Sequence, residues 1–180
     1  MSRLALFDLD NTLLDRSAAF LRWATGFAAR RCLPADSVER LVGWDEDGYR
    51  PRADLFRSLR SEYSLSDSVE ELVVRYRADY PVSYQRDDAL LTALWDLRDA
   101  GWKVGIVTNG PPSQRAKVEV SGLAEVVDVC CVSEELGAAK PETAIFEAAA
   151  RLAGCELRGW MTGDNPVLCA TASLLGPRLT

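Results

Sequence analysis

Histidine does not occur anywhere in the 180 residues. This absence excludes a Ser-His-Asp triad, a Cys-His pair and the zinc sites that histidine usually ligates. Any catalysis must therefore use carboxylates, lysine, cysteine or hydroxyl side chains. A hard metal ion, which prefers oxygen ligands, is compatible with such a set.

Long apolar runs are lacking as well, and no segment of the sequence could span a bilayer. Asp8 and Asp10 interrupt the early apolar stretch that a signal peptide would need. The five cysteines are odd in number and form no C-x-x-C pair, so we expect reduced thiols. Together these features predict a cytoplasmic protein with no membrane partner.

Positive charge is the minority sign, because 21 basic residues face 27 acidic ones and the net charge is -6. A protein that binds nucleic acid needs basic surface to neutralise phosphates, so we expect no nucleic-acid partner. A small anionic ligand remains compatible, since a local site can oppose the global charge. Lysine is rare among the basic residues, which include only Lys103, Lys117 and Lys140.

The apolar residues that are present, 48% of the chain, are grouped in a pattern typical of an α/β protein. Four short apolar segments predict strands: Leu4–Leu9, Lys103–Thr108, Val126–Val132 and Trp160–Thr162. Segments with helical periodicity separate the later strands: Asp87–Ala100, Ser113–Ser121 and Glu142–Leu152. The first three strands are nearly continuous in apolar character, which favours a doubly wound parallel sheet covered on both faces.

Residues 16–86 break this alternation, because they contain helical patterns and no convincing strand. We interpret them as a helical insert, with residues 1–15 and 87–180 forming the α/β domain. Ligands bind at the carboxyl ends of strands in open α/β sheets, so an insert after the first strand would form a lid there. The alternative is a set of ordinary crossover helices, but the segment is long for one connection.

Polar groups follow each of the four predicted strands. Asp8 and Asp10 end the first strand, and residues two apart on a strand share a side. Two close carboxylates repel each other and become tolerable beside a bound cation. The later strand ends carry Thr108 and Asn109, then Lys140 before a proline, and finally Asp164. Three acids, a hydroxyl and one cation at one sheet edge predict a site for an anionic substrate and a metal.

These residues resemble the motifs of the haloacid dehalogenase superfamily, chiefly its phosphatases. The match consists of DLDNT at Asp8–Thr12, TN at Thr108–Asn109, the lysine at Lys140, and GDN at Gly163–Asn165. It spans nearly the whole chain, and the helical insert is similar to the family's first type of cap domain. The resemblance implies a Mg²⁺-dependent phosphatase that hydrolyses a small phosphorylated metabolite.

The resemblance also implies a role for each residue. Asp8 would attack phosphorus and form an aspartyl-phosphate, and Asp10 would protonate the leaving oxygen and then activate water. Thr12, Thr108, Asn109 and Lys140 would shape the site and hold the phosphoryl group. The ligands of Mg²⁺ would be Asp8, Asp164 and the backbone carbonyl of Asp10. Asp10 also favours phosphate-ester chemistry over dehalogenation, because the carbon–halogen hydrolases lack this second acid.

The match weakens after Pro166, where Leu168 and Cys169 stand at positions at which the family usually has a second acid. We expect the last strand of the sheet to be missing or truncated, which could impair activity and leave an exposed edge open to homodimer formation. Two alternatives therefore stay open. One is a phosphomutase or phosphotransferase of the same family, and the other is a degenerate, non-catalytic phosphate binder.

Overall fold

The computed structural model describes residues 3–165, in which four parallel strands form one sheet. The strands are β1 (Arg3–Phe7), β2 (Trp102–Thr108), β3 (Val129–Val132) and β4 (Gly159–Thr162). Their order is β3-β2-β1-β4, so the first strand lies between the second and the fourth. Phe7 is level with Ile106 on one side and with Thr162 on the other. This register brings the carboxyl ends of three strands to one edge.

Eight helices are present among the described residues. They are α1 (Arg16–Arg30), α2 (Ser37–Asp45), α3 (Arg52–Tyr63), α4 (Val69–Asp79), α5 (Asp88–Asp99), α6 (Gln114–Val120), α7 (Ser133–Leu136) and α8 (Thr143–Leu152). Local capping explains where two of them begin. The Asp87 carboxylate accepts hydrogen bonds from the N–H groups of Ala89 and Leu90, and Ser68 forms a capping box with Glu71. None of these helices is both long and apolar enough to cross a membrane.

The chain divides into two compact units, of which the second is Arg16–Tyr84. The first unit contains residues 3–15 and 85–165 of the described part. It holds the whole sheet and helices α5 to α8, and it is a doubly wound α/β fold as the sequence predicts. The second unit contains helices α1 to α4 and no strand.

Each unit has its own apolar core. In the first unit, residues of three strands pack against one face of α8; the cluster consists of Leu4, Leu6, Val107, Val129, Cys131, Ile145, Phe146, Ala149, Ala150 and Ala153. In the second unit the core is aromatic, and the Trp23 ring stacks on Phe27 and meets Tyr76 edge to face. Burial of such side chains is the main stabilising contribution in both units.

Two predicted strand boundaries are wrong by two residues or more, and local structure explains both. The first strand ends at Phe7 and not at Leu9, since Asn11 adopts a left-handed conformation with φ 58° within the turn that follows. The third strand begins at Val129 and not at Val126. Before it, the Asp128 carboxylate accepts hydrogen bonds from the Val104 N–H and the Lys103 ammonium. The regular strand pairing begins only after this residue. The predicted loss of a last strand concerns positions after Asn165, which lie outside the described residues.

Candidate active site

Asp8 lies directly after β1 and has most of its carboxyl group removed from solvent. Its N–H donates to the Thr162 carbonyl of β4 at 2.9 Å, which fixes the backbone beside the neighbouring strand. Its Oδ1 lies 2.6 Å from the Lys140 ammonium and accepts the Leu9 N–H at 2.7 Å. The exposed fraction is 12% for the Asp8 side chain and 1% for the Lys140 side chain. The two residues therefore form a buried ion pair.

The electrostatic state of Asp8 reflects opposing influences. Burial raises the pKa of this carboxyl above its ordinary value, and the nearby negative charge of Asp164 acts in the same direction. The Lys140 ammonium and the Leu9 N–H lower that pKa and offset part of the effect. Lys140 is thus the main group that stabilises the charged form of Asp8.

The segment that carries Lys140 is tied to the end of β2 by Asn109. The Asn109 side-chain N–H donates to the Lys140 carbonyl at 2.9 Å, and the Lys140 N–H donates to Asn109 Oδ1 at 2.8 Å. This reciprocal pair joins two loops that are distant in sequence. Asn109 therefore positions the backbone of Lys140. That it also holds a phosphoryl group stays a prediction.

Asp10 is held by two side chains of α6 that were absent from the predicted site. The Lys117 ammonium lies 2.9 Å from Asp10 Oδ1 and 2.6 Å from Oδ2. Gln114 donates from Nε2 to Asp10 Oδ2 at 3.0 Å and to the Thr108 hydroxyl oxygen at 2.8 Å. Because Thr108 accepts in this bond, its own O–H remains a donor for a substrate oxygen. Gln114 thereby connects the second acid with the threonine at the end of β2.

Thr12 and Asp164 meet on the other side of the turn after β1. The Asp164 N–H donates to the Thr12 hydroxyl oxygen at 3.1 Å, so Thr12 braces the loop that follows β4. The negative charge of Asp164 adds to the raised pKa of Asp8, which is repulsion between two carboxylates. Repulsion of this kind favours a bound cation.

The oxygen donors of this edge fit Mg²⁺. No group of three or more Asp, Glu, His or Cys side chains capable of holding a metal occurs in residues 3–165. Mg²⁺ does not need such a cage, because it is usually bound by one or two carboxylates together with water and substrate phosphate. The predicted ligands are of this kind, since Asp8 and Asp164 carry carboxylates and the third candidate is the backbone carbonyl oxygen of Asp10.

The structure links the sequence-predicted residues in two series of contacts. One series runs from Asn109 through Lys140 to Asp8, and the other runs from Thr108 through Gln114 to Asp10. Thr12 joins Asp164 beside the first series. Lys117 and Gln114 were missed. The rarity of lysine in this chain was the one sequence signal that pointed towards Lys117.

One reason given for the pairing of Asp8 and Asp10 is wrong. β1 ends at Phe7, so strand alternation does not orient Asp10, which forms an isolated bridge with Leu14 in the turn. Contacts from α6 hold its side chain instead. Leu168 and Cys169, where a further acid was expected, lie outside the described residues.

Many known proteins are similar to this chain in sequence or in fold. A family model of haloacid dehalogenase-like hydrolases matches residues 3–172. Phosphoglycolate phosphatase of Cereibacter sphaeroides is 29% identical over 96% of this chain and 81% of its own length. A HAD phosphatase from Thermococcus onnurineus is 30% identical, and its crystal structure covers 97% of this chain and 83% of its own with a TM-score of 0.61.

A second solved structure has a closer backbone match at lower identity. It is the putative HAD-hydrolase YfnB from Bacillus subtilis bound to magnesium, with a TM-score of 0.74, 23% identity, and coverage of 97% of this chain and 84% of that one. At this identity the likeness shows the fold alone. Because the family model spans most of the sequence and the strand ends carry the expected residues, the chain belongs to the haloacid dehalogenase-like hydrolase family.

Proposed function

We propose that this protein is a Mg²⁺-dependent phosphatase that hydrolyses a small phosphorylated metabolite through an aspartyl-phosphate on Asp8. The observation that carries the proposal is the buried pair of Asp8 and Lys140 at the end of β1, with a second acid held nearby. The phosphatase names of the relatives support phosphate esters as the substrate class.

In the first half of the reaction, an Asp8 carboxylate oxygen bonds to phosphorus while the bond from phosphorus to the leaving oxygen breaks. For this step Asp10 must first gain a proton, and that proton then passes to the leaving oxygen. The Thr108 O–H donates to a phosphoryl oxygen, and the Lys140 ammonium offsets negative charge between Asp8 and the phosphoryl group. Such charge stabilisation is usually the main contribution to phosphoryl transfer.

In the second half, the Asp10 carboxylate takes a proton from water as the water oxygen bonds to phosphorus. The bond from phosphorus to Asp8 breaks, and inorganic phosphate leaves. Asp8, Asp164 and the carbonyl of Asp10 would hold Mg²⁺, which supplies positive charge where an anionic nucleophile meets an anionic substrate.

The test is hydrolysis of p-nitrophenyl phosphate by the purified full chain, with and without Mg²⁺. We expect turnover that EDTA removes, that Asp8→Asn abolishes, and that requires a higher Mg²⁺ concentration in Asp164→Asn, because one carboxylate ligand is lost. Turnover that persists in Asp8→Asn would refute the assigned nucleophile.

The same assay separates hydrolysis from the alternatives. Release of inorganic phosphate in step with p-nitrophenol indicates attack by water. A deficit of inorganic phosphate that appears when a sugar phosphate is added indicates transfer to a second hydroxyl. Absence of turnover together with binding of inorganic phosphate indicates the non-catalytic binder.

A further inference from the structure

Helix α6 presents two polar side chains that the proposed chemistry does not use directly. Gln114 and Lys117 are 4% and 6% exposed, respectively. They are three residues apart on a helix and therefore lie on one face. Burying an ammonium or an amide is costly unless its donors are satisfied. Both side chains direct donors to the Asp10 carboxylate.

The contacts define the orientation of the Asp10 carboxylate. Lys117 contacts both carboxylate oxygens, and Gln114 contacts one of them at 3.0 Å. Each rotation of the Asp10 side chain away from this position breaks at least one of these bonds. Charge-assisted hydrogen bonds of this kind are roughly twice as strong as neutral ones. Lys117 and Gln114 thus specify one rotamer for the Asp10 side chain, which lies in the turn beyond the end of β1.

Gln114 adds a second constraint because its amide nitrogen also donates to Thr108. A primary amide carries two N–H donors, so the bonds to Asp10 and Thr108 can exist together. Gly110 leaves the space for this side chain, since a Cβ at that position would lie 3.0 Å from Gln114 Cγ. The acid and the hydroxyl are thereby held at a fixed separation.

We infer that Lys117 and Gln114 are positioning residues. They hold the proton-transferring carboxyl of Asp10 in a fixed position relative to the phosphoryl group bound at Thr108. The inference rests on the proposed function. A displacement of about 1 Å in a reacting group can cost on the order of a hundredfold in rate. Neither α6 residue needs to contact substrate for this effect.

The inference predicts a dependence on the leaving group. p-Nitrophenolate leaves without a proton, whereas an alkoxide needs one from Asp10 as its bond to phosphorus breaks. Loss of positioning should therefore slow alkyl esters much more than p-nitrophenyl phosphate. The comparison uses kcat/KM, because this constant covers the steps through formation of the aspartyl-phosphate and excludes its hydrolysis.

The experiment compares Lys117→Met with the wild type on p-nitrophenyl phosphate and glycerol 2-phosphate. We expect the loss of kcat/KM in the variant to be at least about tenfold larger for the alkyl ester than for p-nitrophenyl phosphate. This is a part of the whole contribution of general acid catalysis, which is about 100-fold or more. Lys103→Met is the matched control, because Lys103 also pairs with a carboxylate, that of Asp128, at 2.9 Å. Equal losses on both esters, or a result like that of the control, would overturn the inference.

A second variant and a second readout separate this result from failure of the proposed function. Gln114→Met should show the same dependence on the leaving group if Lys117→Met does not fold. Crystal structures of the wild type and of Lys117→Met test the positioning without any turnover. A changed Asp10 rotamer supports the inference and an unchanged one refutes it, whereas an inactive wild type counts only against the proposed phosphatase.

Discussion

Replacement of Lys140 by methionine should destabilise the folded protein, and by an amount that depends on pH. Methionine retains the length of the side chain and removes the ammonium that lies 2.6 Å from Asp8 Oδ1. The carboxyl of Asp8, of which 12% of the side chain is exposed, then remains buried without its cation. Removing one partner of a buried ion pair typically costs about 3–5 kcal/mol.

Two features place the expected loss near the lower end of that range, at about 3 kcal/mol. Asp8 keeps the hydrogen bond from the Leu9 N–H, and a small part of its side chain contacts solvent. The variant also no longer buries an ammonium. The matched control is Lys103→Met, for which we expect a loss of about 0–1 kcal/mol because the Lys103 side chain is 38% exposed.

The pH dependence follows from the direction of the Asp8 pKa. Burial raises this pKa, and Lys140 opposes the rise, so removal of Lys140 raises it further. A carboxyl with a raised pKa in the folded state destabilises the fold above that pKa, and this cost disappears as the pH falls through it. The difference between wild type and variant should therefore be largest near neutral pH and shrink in acid.

The assay is urea unfolding in EDTA, followed by tryptophan fluorescence and circular dichroism, at pH 7.5 and at successively lower pH. The free energy of unfolding is compared among wild type, Lys140→Met and Lys103→Met. A loss in Lys140→Met no greater than that in the control would refute the proposed energetic role of the buried pair. So would a loss that stays constant as the pH falls.

Two further predictions concern stability elsewhere in the chain. Gly159→Ala should yield little folded protein on expression, because the added Cβ would lie 1.7 Å from the Leu4 carbonyl oxygen in the β1–β4 pairing. Soluble protein with a wild-type melting temperature would contradict the register described for β4. Asp67→Asn should destabilise the second unit by about 1 kcal/mol at pH 7. Hydrogen bonds from Arg31 lower the pKa of Asp67 to about 2, so this contribution is present above pH 4 and is lost as the pH falls towards 2. The melting temperatures of the wild type and of Asp67→Asn should therefore become equal in acid.

Agreement between sequence and structure was best where the signal is local. The helix predicted at Asp87–Ala100 is α5, and its Asp87 cap is visible in the sequence. Helix α2 gave no such signal, since it contains Gly43 and its only buried apolar residue is Leu41. The end of β1 and the start of β3 were misplaced, because the left-handed turn at Asn11 follows the first and the Asp128 carboxylate accepts the Val104 N–H before the second.

The sequence by itself determined the class of fold, the family and the residues at the ends of the strands. It could do so because apolar periodicity and short motifs depend on neighbours in the chain. The tertiary structure decided which of these residues meet. Lys117 reaches Asp10 across 107 positions, and Asn109 secures Lys140 across 31. Parallel pairing of β1 with β2 and of β2 with β3 brings the loops that carry these residues to one edge of the sheet, where the buried charges meet their partners.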